Sequence, residues 1–218
     1  MKNIVIIGAG GHAGMIIEII LKRKQIFNEN LRIVGILIED KYLESSGDYF
    51  MGFPILGNLS KINDFKRFDY EYIIGIGDNN ARERIYNKYK ELVYYTAIHP
   101  TAVISDNAKI GVGTVVGENS VMKNFSQLGN QCILNTLSLI SHHCIVEDHS
   151  HIGPNSTLCG RVKVGEKCLI GAGSTLIPDI NITKDVVVGA GTVVVNNISE
   201  SSIVVGNPGK IIKTRGEK

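Results

Sequence analysis

Four of the six histidines in the chain lie within one stretch, ISHHCIVEDHSHIG, at residues 140–153. They are His142, His143, His149 and His151. An imidazole titrates near neutral pH and is also a common metal ligand. The stretch is therefore compatible with three kinds of site: a metal centre, a general base with its helpers, or a solvated surface.

A six-residue repeat positions these histidines. Every sixth residue from Ile98 to Val194 is aliphatic or methionine, without an insertion, and the fourth residue after each is mostly small. Such hexapeptide repeats are typical of a parallel β-helix, in which each repeat forms a short strand and a turn. With three repeats to a coil, residues 18 apart stack, and the repeats of this chain make nearly six coils.

Strand alternation decides which side chains enter the core of this helix. The small residue and the next aliphatic residue are two apart and point inward together. Cys132, Cys144 and Cys168 all occupy the small inward position and are expected to fill the core, rather than to act as ligands or nucleophiles.

The same alternation places the histidines outside the core. His142 and His143 fall at a corner, and His151 is an outward strand residue. We expect these three side chains to point away from the core of the β-helix, and we expect His149 to be a solvated surface residue.

The first part of the chain, residues 1–95, has a different pattern. A buried strand, a glycine-rich turn and an amphipathic helix follow one another in NIVIIGAGGHAGMIIEIILKRK, and two further strands follow in LRIVGILIED and YEYIIGIGDNN. This order predicts a small parallel sheet. The turn fits the GxGxx(G/A) pattern, whose backbone amides can hold phosphate. A nucleotide site and a purely structural turn both explain the glycines.

Composition and charge exclude several classes of function. The net charge is +2 without a basic run, so we expect no nucleic-acid partner. No apolar stretch is long enough for a secretory signal or a membrane span, and four cysteines without CxxC spacing fit a reducing compartment. We therefore expect a cytoplasmic protein that does not bind membranes.

The chain resembles the nucleotide-sugar acyltransferases typified by the UDP-4-amino-sugar N-acetyltransferase of bacillosamine biosynthesis, to which sialic acid O-acetyltransferases are related. The resemblance rests on GAGGHA, LNTLSLISHHCIVEDHSHIGP and VVGNPGKII. It implies a Rossmann-like nucleotide-sugar-binding domain at residues 1–95, followed by a left-handed β-helix with a C-terminal cap at residues 96–218. It also implies a homotrimer, with acetyl-CoA as co-substrate between neighbouring helices. The expected activity is N-acetylation of a UDP- or dTDP-linked 4-amino sugar.

The resemblance also implies roles for individual residues. It makes His142 the general base, brings His151 to the acetyl thioester and places Asn135 near the substrate. His143 stands where the family usually has an acid, and we count it with the catalytic residues. The remaining assignments are nucleotide-sugar contacts at Gly10, Gly11, His12, Glu39, Asp40 and Gly77, and coenzyme contacts at Gly160, Ala172 and Ala190. Glu39 is the exception among them, because it is assigned only from its place at the end of a strand.

The chemistry expected of this site is direct acyl transfer. An amine must lose a proton as it attacks the thioester, and the oxygen that becomes anionic needs a donor, such as the His151 Nε–H or a backbone amide. We expect no metal. The alternatives are O-acetylation of sialic acid or another sugar, a zinc site shared between chains as in γ-type carbonic anhydrases, and a nicotinamide-dependent or regulatory nucleotide-binding protein.

Overall fold

The computed structural model of the protein describes residues 1–65 and 70–215, so the predicted helix KINDFKRF lies partly outside the described residues. The chain divides into two compact units, Met1–Pro100 and Thr101–Lys218. Among the described residues, no helix has both the length and the apolar character needed to cross a bilayer.

The first unit contains the predicted parallel sheet. Its elements are β1 (Lys2–Ile7), α1 (Gly11–Phe27), β2 (Leu31–Ile38), α2 (Asp40–Leu43), β3 (Tyr49–Phe50), β4 (Phe53–Asn58), a 3₁₀ turn (Leu59–Lys61), α3 (Ile62–Phe65), β5 (Tyr70–Ile74), α4 (Asn79–Lys88) and β6 (Ala97–Ile98). The five-stranded sheet has the order β3-β4-β2-β1-β5, in which β1 pairs in parallel with β2 and β5. Because β1 is central, Ile4 to Ile7 are fully buried.

The sequence did not predict the β3–β4 hairpin. Strand β3 pairs antiparallel with β4, and β4 pairs in parallel with β2. Pro54 and Gly57 interrupt the apolar pattern of β4, and every residue of this strand is only half-buried. Both residues weaken a strand signal, and the hairpin lies at the edge of the sheet, where such residues are tolerated.

The second unit is the predicted left-handed parallel β-helix, built from two-residue strands on three faces. Face one holds β7 (Val103–Ile104), β10 (Val121–Met122), β13 (Leu139–Ile140), β16 (Thr157–Leu158), β19 (Thr175–Leu176) and β22 (Val193–Val194). Face two holds β8 (Lys109–Ile110), β11 (Gln127–Leu128), β14 (Ile145–Val146), β17 (Lys163–Val164) and β20 (Asn181–Ile182). Face three holds β9 (Val115–Val116), β12 (Ile133–Leu134), β15 (His151–Ile152), β18 (Leu169–Ile170) and β21 (Val187–Val188). Paired residues are 18 apart, as in Val121 with Leu139, which confirms the predicted stacking.

At each corner of the β-helix one residue has a left-handed backbone conformation. Every sixth residue from Gly113 to Gly191 has a φ between 52° and 68°. Only three of these positions are glycine, namely Gly113, Gly173 and Gly191. The other corners place a side-chain-bearing residue in a conformation that costs free energy, and the coils on either side must hold it there.

His149 occupies one of these corner positions, and the prediction that it is solvated is wrong. Its φ is 61°, and only 6% of the residue is exposed. Gln131, which is 18 residues earlier at the same corner, is fully buried as well. The corner side chains of these two coils are therefore covered, whereas those of the next two coils, Lys167 and Asp185, are half-buried, and a single hexapeptide does not reveal the difference.

The small inward residues connect one coil to the next through their side chains. The Thr114 hydroxyl donates to the Gly129 carbonyl at 2.7 Å, and the Ser150 hydroxyl donates to the Gly165 carbonyl at 2.8 Å. In return, the Ser150 oxygen accepts from the backbone N–H of Cys168 at 3.0 Å. Both hydroxyls are thus fully buried and hydrogen-bonded, as most buried polar groups are.

The prediction for the cysteines is confirmed. Cys132, Cys144 and Cys168 are completely buried at the same inward position. Their thiols donate to carbonyls of the next coil, for example Cys168 Sγ to the Thr183 carbonyl at 3.1 Å. Burial raises the pKa of the Cys168 thiol to about 12, so it does not supply a thiolate nucleophile near neutral pH.

The end of the β-helix is closed by a hairpin. Strand β23 (Ser202–Val205) pairs in parallel with β21, and β24 (Lys210–Thr214) returns antiparallel to β23. This hairpin includes most of the VVGNPGKII segment and covers the last coil, as the ends of repeat proteins require.

We expect Ser150→Ala to lower the free energy of unfolding by about 1–3 kcal/mol, because it leaves a buried carbonyl and a buried N–H without their shared hydroxyl. Urea denaturation at fixed protein concentration measures the change. Ser150→Cys, which places at this position a residue that other coils already carry there, serves as the matched control and should cost less. Equal stability of Ser150→Ala and the wild type would contradict a stabilising role for this ladder.

Candidate functional site

A cleft of about 950 Å³ lies in the first unit, at the carboxyl ends of β1, β2 and β5. Five of the six predicted nucleotide-sugar contacts line it: Gly10, Gly11, His12, Glu39 and Gly77. The sixth, Asp40, is exposed, and its carboxylate accepts a hydrogen bond from the Asn58 side chain. Ligands of parallel α/β sheets bind at this edge.

Glycines allow the strand ends to meet beneath this cleft. Gly8 has a φ of +109°, and a Cβ there would lie 2.8 Å from Cγ1 of Ile76. A Cβ on Gly75 would lie 2.8 Å from the Cβ of Ala13. By contrast, a Cβ on Gly10 would meet open space. The first glycine of the pattern is thus needed for packing, and the second leaves room for a ligand.

The first turn of α1 can receive an anion at this cleft. Gly10 caps the helix without a side-chain hydrogen bond, and no acidic residue lies in the first turn. The first amides of a helix point outward and carry a partial positive charge. A phosphate placed against Gly10, Gly11 and His12 would contact these N–H groups and their partial positive charge.

Two cations flank Glu39 in the wall of the cleft. The Arg84 guanidinium forms an ion pair with the Glu39 carboxylate, and Lys41 Nζ lies 3.7 Å from it. Lys41 and Arg84 both line the cleft, and their side chains are 60% and 58% exposed. The wall therefore presents positive groups to an anionic ligand, and sequence reasoning missed both of them.

A buried arginine holds the turn that follows β5. Arg82 is 1% exposed, and its Nη1 donates to the carbonyls of Ile76 and Gly77, each at 3.1 Å. Its Nη2 donates to Asn79 Oδ1 at 2.7 Å. Since the C=O and N–H of a trans peptide point in opposite directions, the N–H groups of Gly77 and Asp78 face away from the guanidinium. The sequence did not lead us to predict a role for Arg82, although Arg82 stands only four residues after Asp78.

The second candidate region is the corner that carries His142 and His143, both exposed. Their Nδ1 atoms are 3.2 Å apart, and the rings are nearly perpendicular, with centroids 5.3 Å apart. The His143 ring packs on Phe125 of the previous coil. On the next coil, a Cβ at Gly160 would lie 2.6 Å from Cε1 of His142. Gly160 therefore leaves the space that the His142 ring occupies.

An ion pair lies on the same corner. Arg161 donates two hydrogen bonds to the Asp179 carboxylate, at 2.6 and 2.7 Å. These bonds hold the pKa of Asp179 below its ordinary value, and the nearby His142 lowers that pKa further. The corner thus carries a balanced pair of charges beside its histidines.

Asn135 and His151 meet on face three. Asn135 Oδ1 accepts from the backbone N–H of Thr136 at 2.8 Å, so its Nδ2 is the atom 3.3 Å from His151 Nε2. An amide nitrogen can only donate, so Nε2 accepts and the ring proton of neutral His151 lies on Nδ1. In this geometry Nε2 of neutral His151 carries no proton, so it does not supply the N–H donor that the sequence predicted.

The register separates these two groups within one chain. His142 lies at the corner that follows face one, whereas Asn135 lies at the end of face three, one side of the coil earlier. Ala172 and Ala190 belong to the corner beside Asn135, and both are exposed. Gly160, the third predicted coenzyme contact, lies instead beside His142.

The described residues contain no group of three or more histidine, cysteine, aspartate or glutamate side chains placed to hold a metal ion. At these positions the described part of the chain presents imidazole and amide side chains, and the first unit holds the cleft at its strand ends.

Comparison with known proteins identifies the family. Residues 3–89 match the PglD N-terminal domain, and residues 144–176 and 161–195 match the hexapeptide repeat of succinyl-transferase. UDP-N-acetylbacillosamine N-acetyltransferase of Bacillus subtilis (strain 168) is 31% identical over 122 residues, which are 53% of this chain and 51% of that enzyme. The chain thus spans about half the length of this curated relative.

Two solved structures are similar over nearly their whole length. PerB from Caulobacter crescentus, in complex with CoA and GDP-perosamine, is 32% identical, with a TM-score of 0.85 and 96% of each chain covered. The acetyltransferase domain of PglB from Neisseria gonorrhoeae FA1090, in complex with acetyl coenzyme A, is 28% identical, with a TM-score of 0.86, covering 96% of this chain and 98% of that one. The chain therefore belongs to the hexapeptide-repeat nucleotide-sugar acetyltransferase family.

Proposed function

We propose that this protein is an acetyl-CoA-dependent N-acetyltransferase that acts on the amino group of a nucleotide-linked 4-amino sugar. The observation that carries the proposal is that one chain holds two features. One is a helix N-terminus without a side-chain cap in a cleft of about 950 Å³, and the other is an exposed His142 for which Gly160 leaves room. PerB, which was solved with CoA and GDP-perosamine, and the PglB acetyltransferase domain, which was solved with acetyl coenzyme A, share this fold. We propose UDP or dTDP as the nucleotide, and GDP enters the test because PerB binds GDP-perosamine.

The proposed reaction is a direct transfer. The sugar amine attacks the acetyl carbonyl carbon of acetyl-CoA, and a C–N bond forms while the C–S bond breaks. His142 Nε2 takes the proton that the amine loses, and the departing CoA thiolate takes a proton from the imidazolium. The buried thiols do not compete as nucleophiles, because burial raises the pKa of both Cys144 and Cys168. Positioning by two large ligands would supply much of the rest of the rate enhancement.

The separation of the two residue groups supports a homotrimer. His142 of one chain and the Asn135–His151 pair of the same chain lie at different corners of a coil. A neighbouring helix would bring its own pair to this His142, with acetyl-CoA between the two chains. Ala172 and Ala190 would line that groove, where small side chains allow a long ligand to lie close. Acetyl-CoA and nucleotide sugars are cytoplasmic metabolites, so we place the enzyme in the cytoplasm.

We expect CoA thiol release from acetyl-CoA only in the presence of a nucleotide-linked amino sugar. The assay compares UDP-, dTDP- and GDP-linked 4-amino sugars with free sialic acid. Turnover with sialic acid alone would favour O-acetylation, and stoichiometric zinc in the purified protein would favour the metal alternative. Either result, or no thiol release with any amino sugar, would overturn the proposal.

We expect His142→Ala to lower kcat by about 10²–10⁴-fold, the usual contribution of a general base, with KM values little changed. Asn124→Ala, at the same corner one coil earlier, is the matched control and should keep full activity. Near-full turnover of the His142 variant at saturating substrates would show that His142 is not the base.

We expect Arg82→Met to weaken binding of UDP, dTDP or GDP by about 10-fold or more. The turn at Gly77 and Asp78 would lose the hydrogen bonds that the Arg82 guanidinium donates to its carbonyls. Isothermal titration measures the affinity, and thermal melting confirms that the variant is folded. Asn79→Ala, which removes one acceptor of the guanidinium, should show a smaller loss, and Arg32→Met, an exposed arginine on β2, should show none. Unchanged affinity in a folded Arg82 variant would contradict a role for this turn in nucleotide binding.

A further inference from the structure

The contact between His142 and His143 joins two atoms of the same kind. Nδ1 of one ring lies 3.2 Å from Nδ1 of the other. A hydrogen bond between them requires one nitrogen to carry the proton and the other to accept it. The contact therefore has two possible directions, and they have opposite consequences for catalysis.

The direction decides whether His142 can act as a base. If His142 donates from Nδ1, its neutral ring leaves Nε2 unprotonated and able to accept a proton. If His143 donates instead, neutral His142 carries its own proton on Nε2, where it cannot act as a base. The acceptor state of His143 is thus a condition for the proposed role of His142.

Packing holds the His143 ring in place for this contact. Its backbone has a φ of 59°, and its N–H donates to the Asn124 carbonyl at 3.2 Å. The ring lies against Phe125 of the previous coil, with centroids 5.0 Å apart and planes 33° apart. The side chain therefore rests on an apolar surface and presents its edge to His142.

The charged groups near His143 form a pair of opposite sign. On its own coil the titratable neighbour is His142, and on the previous coil it meets the uncharged Phe125 and Asn124. On the next coil, Arg161 occupies the same corner position 18 residues later, and Asp179 of the following coil binds its guanidinium.

We propose that neutral His143 accepts a hydrogen bond from His142 Nδ1–H and thereby holds His142 in the tautomer whose Nε2 deprotonates the sugar amine. His143 is then a positioning residue, and its protonation withdraws the acceptor and inactivates the base. During transfer the amine proton moves to Nε2, while Nδ1–H of His142 stays bonded to His143. This inference rests on the proposed function.

Three substitutions of His143 test this role, and the chain already tolerates each residue type at a left-handed corner. Phe125 and Asp179 occupy the same corner as His143 on other coils, with φ values of 63° and 67°, and Asn119 has a φ of 53°. His143→Phe keeps a ring against Phe125 but removes the acceptor. His143→Asn and His143→Asp keep an acceptor oxygen.

We expect His143→Phe to lower kcat by about 10–100-fold without changing either KM, and His143→Asn to restore most of kcat. In His143→Asp, a carboxylate beside His142 favours its charged form, so the acid limb of kcat/KM should move to higher pH. In the wild type, activity should fall as pH decreases through the range where either imidazole gains a proton. A His143→Phe enzyme with full kcat and an unchanged pH profile would overturn the proposal.

A spectroscopic measurement separates this inference from the proposed function. In ¹⁵N-histidine-labelled protein above the titration range, the His142 signals should report a proton on Nδ1 in the wild type and lose that preference in His143→Phe. An Nε2–H tautomer of His142 in the wild type would overturn the inference even if the enzyme is active. Absence of acetyl transfer in the wild type would instead overturn the proposed function, and the tautomer measurement would still decide the role of His143.

Discussion

Backbone hydrogen bonding between coils fixes the position of every side chain in the β-helix. Each outward strand residue from Val103 to Thr175 donates its N–H to a carbonyl 17 residues later, as Val103 does to Ser120, so residues 18 apart stack without a break. A one-residue insertion would turn the inward aliphatic residues outward, which explains why the repeat contains none from Ile98 to Val194. Several buried hydroxyls and thiols add a second set of bonds between the same coils, and the left-handed corners close each turn.

The repeat made much of this architecture predictable. Six-residue periodicity was enough to predict the three faces, the inward place of Cys168 and the outward place of His142, because inward and outward positions recur in every hexapeptide. His149 is buried although it holds the same hexapeptide position as the exposed His143, and the hydrogen bonds of Arg82 depend on where two carbonyls point after folding. Neither property has a local signal in the sequence.

The chemistry of the β-helix follows from the same register. Gly160 makes room for His142 because it stacks one coil later at the same corner, and Asn135 meets His151 because both lie on face three. Because the Asn135 side-chain amide donates to His151 Nε2, the structure also rules out the His151 Nε–H as the donor that the sequence predicted. An oxyanion donor in the proposed reaction would therefore come from His151 Nδ1–H or from a backbone amide.

The central claim is that one catalytic site needs His142 from one chain and His151 from its neighbour. Subunit complementation tests it directly: His142→Ala and His151→Ala chains, each with its own tag, are co-expressed and the mixed trimers are isolated. In each mixed trimer about a third of the sites, one of the three, would combine both intact residues, so activity should rise well above that of either parent. Mixed trimers no more active than the parents would contradict a site shared between chains.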